Sequence, residues 1–509
     1  MTFVPPETFN ISEHFLGDRI REGLGARRAL VTDRGALTYA EVDAMASRYG
    51  NVLAAAGVRP EERVLVALPD GPEYVAALFG VLRMGGVVVM VNPHLPLEQL
   101  RYFYEYTRAR AAFVAKTGSA PFREAAAGAR HAPLLLEVGG ADFSREVEGA
   151  SPALDPFPSH RDDAAIWLFS GGTTGFPKAV VQPHRSYANT TELYGKGILG
   201  IGPDDVTLSV PKLFFGYATG INLLFPFSVG ATAALFPERC TAETLLEKIR
   251  SFRPTVLANV PTMVNHLVSH PGVAPEDFSS LRVATSAGEA LPVELHRRWD
   301  DLTGVPLLDG LGTAEMWHIF ISNRPDDVRP GTLGRVVPGF DVKVCDPDGG
   351  EVPRGEVGHL WVQGGSRALG YWQQVEKSQA AFRGEWYVSG DMISMDARGY
   401  VTYHGRADDM LKVSGKWLSP AQLEDCLQAH PAVAEVAVVG AADEDGLVKP
   451  HAFVIPTEDA TPGAELEEAL KAWARERLEP YKYPRKVVFM EELPRTHLGK
   501  VDRGRLARG

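Results

Sequence analysis

Short apolar runs alternate with amphipathic stretches along much of the chain. Residues 63–68 and 86–91 are rich in β-branched side chains, and the stretch 73–84 between them has helical character, which is the rhythm of a βαβ unit. Similar buried-strand runs recur at 164–169, 206–210, 231–236 and 255–260, with Leu245, Ile249 and Phe252 marking one face of a helix between the last two. Thr38, followed three positions later by Glu41, has the spacing of a capping box and predicts a helix running through Ala54. Strands alternating with helices predict a layered α/β architecture with substantially parallel sheets.

The pattern changes near Gly405-Arg406-Ala407-Asp408-Asp409, a compact polar stretch between apolar strand-like segments. Beyond it the chain predicts a helix at 420–429, strands at 433–439 and 452–455, and a helix at 465–477, enough for a small α+β domain. A length of 509 residues also exceeds what one hydrophobic core usually serves. The reading is therefore a large, layered, multi-sheet α/β domain over residues 1–407 and a small α+β domain over residues 408–509.

Composition narrows the function. Hydrophobic residues make up 45% and charged residues 23%, the balance of a globular protein and not of a disordered one. A net charge of −12 speaks against nucleic acid as a partner, since that contact relies on a basic face. Cys240, Cys345 and Cys426 are far apart and suggest neither a disulfide framework nor a zinc site. The first ten residues lack the basic and apolar regions of a signal peptide, and the apolar run 87–91 is too short to span a bilayer. A cytoplasmic protein with no membrane partner is expected.

The richest chemistry lies in Ser170-Gly171-Gly172-Thr173-Thr174-Gly175-Phe176-Pro177-Lys178, directly after a predicted strand. Glycines let backbone N–H groups approach an anion closely, the three hydroxyls add donors, and Lys178 adds positive charge, so the segment is built to grip phosphate. The Walker pattern is not met, because proline precedes Lys178 and alanine follows it. Taken alone, the stretch also reads as a flexible surface loop.

This loop resembles that of the adenylate-forming superfamily, which includes acyl-CoA synthetases, luciferases and peptide-synthetase adenylation domains. The resemblance continues, in the family's order, through Gly288-Glu289-Ala290-Leu291, Gly310-Leu311-Gly312-Thr313-Ala314-Glu315, Ser389-Gly390-Asp391, Gly405–Asp409 and Pro494–Lys500. It implies ATP, Mg2+ and coenzyme A, with Ser170, Gly171, Gly172, Thr173, Thr174, Gly175, Gly288, Glu289, Gly310, Leu311, Gly312 and Thr313 around the nucleotide. It further implies Lys178 and Lys500 as catalytic cations, Glu315 as a catalytic and magnesium-binding carboxylate, and Asp391 with Arg406 on the ribose. In isolation Asp391 reads as a turn aspartate and Lys500 as part of a basic tail. The family usually has threonine where this chain has Ala314, which leaves open whether Thr313 supplies the missing hydroxyl. A small mobile C-terminal domain is implied, pivoting at Asp408 and bringing Gly415 to the pantetheine arm; Lys412 and Lys416 read equally as anion contacts or exposed side chains.

For the acid, the resemblance points to Phe214, Phe215 and Tyr217, together with Ala287, Gly288, His318 and Ile319. The wording of this region is closest to benzoate–CoA ligases and their aminobenzoate-using relatives. An amino-acid-activating domain normally has an aspartate here, and 214–222 contains none. The aromatics read otherwise as core packing, and His318 as a buried core histidine. Gly216 suggests room for a ring substituent. The expected activity is ATP-dependent ligation of a benzoate-type acid to CoA, the alternative being an adenylating enzyme that loads a carrier protein. The motifs alone do not separate these from luciferase-like oxidation, and the oligomeric state, monomer or homodimer, is not legible.

Overall fold

The alternation of apolar and mixed runs is realised as two large sheets with helices between and outside them. The computed structural model describes residues 3–171, 176–413, 416–442, 448–495 and 501–507. A seven-stranded sheet has the order Gly370–Tyr371, Lys178–Pro183, Ala164–Ser170, Val87–Met90, Arg63–Ala67, Ala111–Ala115, Leu134–Val138. Its last five strands run parallel, and the first two pair antiparallel. A nine-stranded sheet is parallel through its centre, where Val206–Ser209, Val256–Asn259, Val283–Ser286 and Leu307–Gly312 lie side by side.

Alternating strand residues face different layers, as strand geometry requires. Val64, Val66, Ala258 and Leu308 share a central core, whereas Leu65 and Val89 face one outer helical layer and Leu257 and Leu307 the other. Two helices of the central layer, Tyr39–Ala55 and Pro72–Arg83, cross at Gly50 and Gly80. The predicted capping box is present at the start of the first, and the second is buried on nearly every side. A Cβ on Gly80 would lie 2.7 Å from the Ala46 carbonyl oxygen and 2.9 Å from Gly50 N, so the crossing depends on both glycines.

A third sheet departs from the parallel expectation. Asp341–Cys345, Gly358–Gln363, Trp386–Met395, Phe382–Arg383 and Val401–Arg406 pair wholly antiparallel. Trp386–Met395 alternates buried and half-buried positions along its length, the period-two pattern of a sheet covered on one face. Beyond Arg406 comes a small unit with the helices Pro420–Gln428 and Ala464–Arg477 and a three-stranded sheet of Val433–Ala442, Val448–Pro456 and Lys486–Phe489. Among the described residues no helix is long and apolar enough to cross a membrane.

Two outcomes follow from this packing. Gly80→Ala is expected to lower stability by about 1–3 kcal/mol, as overpacking does in a close-packed interior; an unchanged urea midpoint would show that the helices part without strain. His184 is buried with Nδ1 accepting from Ile11 N at 3.2 Å, and burial lowers its pKa from 6.5 to about 3. The unfolded chain therefore takes up a proton that the folded chain refuses, so this histidine's contribution is lost as pH falls from 6.5 toward 3. His184→Asn should thus narrow its melting-temperature gap to the parent protein on acidification. The comparison isolates His184 from Asp70 and Asp425, which burial raises to about 7 and which titrate in the opposite sense.

Candidate active site

Ser170 and Lys178 are direct partners across an antiparallel pair, so the two flanks of the glycine-rich segment lie side by side. Ser170 Oγ is buried without a hydrogen-bond partner among the described residues. Gly171 is exposed, while Gly172, Thr173, Thr174 and Gly175 lie outside the described residues. At the base, Lys178 Nζ lies 3.4 Å from Glu315 Oε1 and 3.7 Å from the ring centroid of Tyr371. Tyr371 donates its hydroxyl to the same carboxylate oxygen at 2.8 Å. Burial lowers the Lys178 pKa, and the neighbouring Glu315 opposes that shift.

Glu315 is only 4% exposed and sits in a single 3-10 turn, Ala314–Met316. Thr313 caps the turn by accepting from Met316 N at 3.3 Å, so its hydroxyl is oriented by the turn and only its proton is left for another acceptor. Gln182 Nε2 donates to the Ala314 carbonyl at 2.6 Å, tying the turn to the lysine strand. The next residue, Trp317, has φ 61° and ψ −49°, and His318 N donates to Met316 O at 2.8 Å. This is the rare positive-φ γ-turn, a strained conformation for a non-glycine residue. The buried Trp317 indole packs on Tyr187 at 4.4 Å between ring centroids.

Asp391 and Arg406 also stand opposite one another on paired strands. Arg406 Nη1 donates to Asp391 Oδ1 at 3.2 Å, Tyr403 OH donates to the same oxygen at 3.4 Å, and Ser389 Oγ donates to Oδ2. A Cβ on Gly390 would lie 2.5 Å from Arg406 Nη2, so glycine is what lets the guanidinium lie across the strand. Tyr387, on the Asp391 strand, feels the charges of both Glu315 and Asp391. Arg406 in turn acts on Lys178, so the two clusters share one electrostatic environment.

The aromatic segment meets the turn that carries Glu315, at Trp317 and His318. Phe214 and Phe215 have ring centroids 4.5 Å apart, and Phe215 is 36% exposed. Tyr217 hydrogen-bonds Thr285 through its hydroxyl, and its carbonyl accepts from His318 Nε2 at 3.0 Å. Burial lowers the His318 pKa to about 3, so the ring is neutral, and Nδ1 is buried with no partner among the described residues. The segment is held from outside by Asp70, which accepts from Leu213 N at 2.9 Å, and by Tyr74, which donates to Leu213 O at 3.0 Å. Neither contact has a local sequence signal. Gly216 does not open space: a Cβ there would meet Leu168 Cδ1 at 3.1 Å and the Trp317 carbonyl at 3.4 Å. The glycine serves a close approach of chain segments instead.

The remaining predicted residues divide. Ala287 is buried, Gly288 has φ +89° with open space above it, and Ile319 pairs with Gly312. Gly310 and Gly312 admit the Ile321 and His318 carbonyls, which would lie 2.9 Å and 2.5 Å from a Cβ, and Leu311 packs on the core. Glu289 accepts from Thr262 N at 3.2 Å and Thr262 Oγ1 at 2.8 Å at the start of the helix Pro261–Val268. Sequence missed Asp309, whose carboxyl accepts from Gly310 N and is held well above the usual range by burial. Asp408 is exposed in the turn after Arg406. Gly415, Lys500 and the side chains of Lys412 and Lys416 lie outside the described residues.

Among the described residues no group of three or more metal-ligating side chains exists. A single buried carboxylate, Glu315, matches the way Mg2+ is bound, through one or two protein carboxylates plus substrate phosphates rather than an all-protein cage.

The AMP-binding enzyme family profile matches residues 19–372, and that of the AMP-binding enzyme C-terminal domain matches residues 422–500. The benzoate–CoA ligase of Thauera aromatica is 39% identical over 506 residues, which cover 98% of this chain and 96% of that protein. The crystal structure of the anthranilate CoA ligase AuaEII with anthranoyl-AMP superposes with a TM-score of 0.94 at 36% identity, covering 99% of this chain and 97% of that one. A benzoate CoA ligase from Burkholderia xenovorans LB400 gives 0.90 at 40% identity, covering 98% and 100%. Matched by both profiles in order and alike to these relatives over nearly its whole length, the chain belongs to the AMP-binding enzyme family of adenylate-forming enzymes.

Proposed function

We propose that this chain is an aryl acid–CoA ligase of the cytoplasm, activating a benzoate-type acid with ATP and transferring the acyl group to CoA. The observation that carries the reading is the continuity of two halves. The turn that carries Glu315, the partner of Lys178, continues to His318, which bonds the Tyr217 carbonyl of the aromatic segment 214–217. The likeness to benzoate– and anthranilate–CoA ligases over the full length supports the aromatic acid and the CoA acceptor.

In this reading a carboxylate oxygen of the acid attacks the α-phosphorus of ATP and the bond to the bridging oxygen breaks, releasing pyrophosphate. Both reactants are anionic, so fixed cations favour the charge-dense transition state more than either ground state. Lys178 and the hydroxyls of Ser170, Thr173 and Thr174 hold the phosphates, and Asp391 with Arg406 orients the ribose. Glu315 would hold a Mg2+ ion, which would supply neutralising charge beside the phosphates. Lys500 meets the carboxylate and the α-phosphate. The domain of residues 408–509 then turns about Asp408, withdrawing Lys500 and presenting Gly415 to the pantetheine arm. The CoA sulfur, having lost its proton, attacks the acyl carbonyl, and the bond to AMP oxygen breaks.

The acid is assigned by weighing what the wall offers. A ring packs on Phe214, Phe215 and Tyr217 in offset or edge geometry worth about 0.5–1.5 kcal/mol beyond burial. An alkyl chain gains less and surrenders rotamer freedom. An α-ammonium would lose water without a carboxylate in 214–222 to meet it.

The test is kcat/KM for benzoate, 2-aminobenzoate, octanoate and phenylalanine with ATP and CoA. The aryl acids are expected to lead by roughly tenfold or more, about 1.4 kcal/mol; octanoate or phenylalanine ahead of both would overturn the aromatic assignment. Thioester formed on a phosphopantetheinylated carrier but not on CoA would replace the acceptor. Lys500→Ala is expected to lower adenylate formation by about 10²–10³-fold, the scale of a lost electrostatic contact. It should spare thioester formation from supplied acyl-adenylate, and equal loss in both half-reactions would refute the two-state scheme.

A further inference from the structure

Both described contacts of the Glu315 carboxylate fall on one oxygen. Oε1 takes the Tyr371 hydroxyl at 2.8 Å and Lys178 at 3.4 Å, and no donor among the described residues meets Oε2. Tyr371 is buried and lies on the two-residue strand Gly370–Tyr371, which is stitched to both charged partners. It pairs with the Lys178 strand, Tyr371 opposite Val180, while Leu369 N donates to Val181 O at 2.9 Å and Trp372 N to Ala179 O at 3.0 Å. On the other side Ala368 N donates to the Glu315 carbonyl at 2.8 Å. Ser378 Oγ accepts from Tyr371 N at 2.9 Å and fixes the strand from behind.

The two contacts on Oε1 differ in permanence. A lysine that serves a phosphate has to leave the carboxylate, whereas a phenol on a backbone-anchored strand stays. We propose that Tyr371 is a positioning residue for nucleotide binding: its hydroxyl holds Oε1 of Glu315 after Lys178 turns to phosphate, leaving Oε2 to face Mg2+–ATP. Its ring meanwhile gives the ammonium an apolar resting surface between the two anions. This rests on the reading of Glu315 as the carboxylate that meets Mg2+–ATP.

Tyr371→Phe keeps the ring and removes only the hydroxyl. In the full chain, calorimetric titration of ATP without acid, repeated across Mg2+ concentrations, is expected to show Mg2+-dependent binding weakened about tenfold or more, the usual effect of losing a group that orients a ligand carboxylate. The KM for benzoate and thioester formation from supplied acyl-adenylate should stay near those of the parent. Tyr371→His, which retains a donor, should recover part of the loss, and it carries the same titration if the Phe variant does not fold. In a Glu315→Gln background the Phe change should add little, since the two residues act as one unit. A Tyr371→Phe protein with unchanged Mg2+-dependent ATP binding, while Glu315→Gln weakens it, would overturn the Tyr371 role alone. Unchanged binding in Glu315→Gln would instead remove the underlying reading of Glu315. Equal losses in ATP binding, benzoate KM and thioester formation, persisting in the Gln background, would reduce Tyr371 to a structural residue.

Discussion

A carboxylate almost sealed from water sets the terms for this site. Glu315 is 4% exposed, and a charge so placed is tolerable only with a counter-charge and hydrogen bonds at close range. Lys178 and Tyr371 supply them, and both need exact backbone support because neither is near Glu315 in sequence; Tyr371 is 56 positions away. The Ser170–Lys178 pairing, the short strand at 370–371 and the Gln182 bond to Ala314 follow from that demand. Each fixes one wall of the space in which the carboxylate and the ammonium face one another.

The same turn that holds Glu315 also reaches the aromatic segment. The positive φ of Trp317 reverses the chain within one residue and packs the buried indole against Tyr187. His318 then reaches back to the Tyr217 carbonyl, and Ile319 enters the sheet beside Gly312. The Glu315 turn and the aromatic segment are thereby joined through the backbone from 315 to 319 and the His318–Tyr217 hydrogen bond.

Much of this was legible in the sequence where the signal is local. The βαβ runs and the capping box at Thr38 each have a short-range pattern, and the elements lie within a few residues of those predicted. The antiparallel sheet escaped because alternation with only one covered face gives no continuous apolar run. Tyr371, Asp70 and Tyr74 escaped for a different reason. Their partners are set by tertiary approach, which no spacing encodes. Gly216 was misread because a missing side chain marks either an open space or a close contact, and only the neighbours Leu168 and Trp317 decide between them.

The internal commitments of the wall also bear on how an acid would be recognised. Tyr217 spends its hydroxyl on Thr285 and its carbonyl on His318, whose other ring nitrogen is buried away from solvent. The nearby Asp309 is pushed toward its neutral form by burial and already accepts from Gly310 N. His318 Nδ1 is the exception: with Nε2 donating to the Tyr217 carbonyl, the neutral ring leaves Nδ1 as a buried acceptor without a partner among the described residues. A buried acceptor left unpaired costs free energy that a donor group relieves, so the hydrogen bonds here do not reduce the segment to an apolar surface.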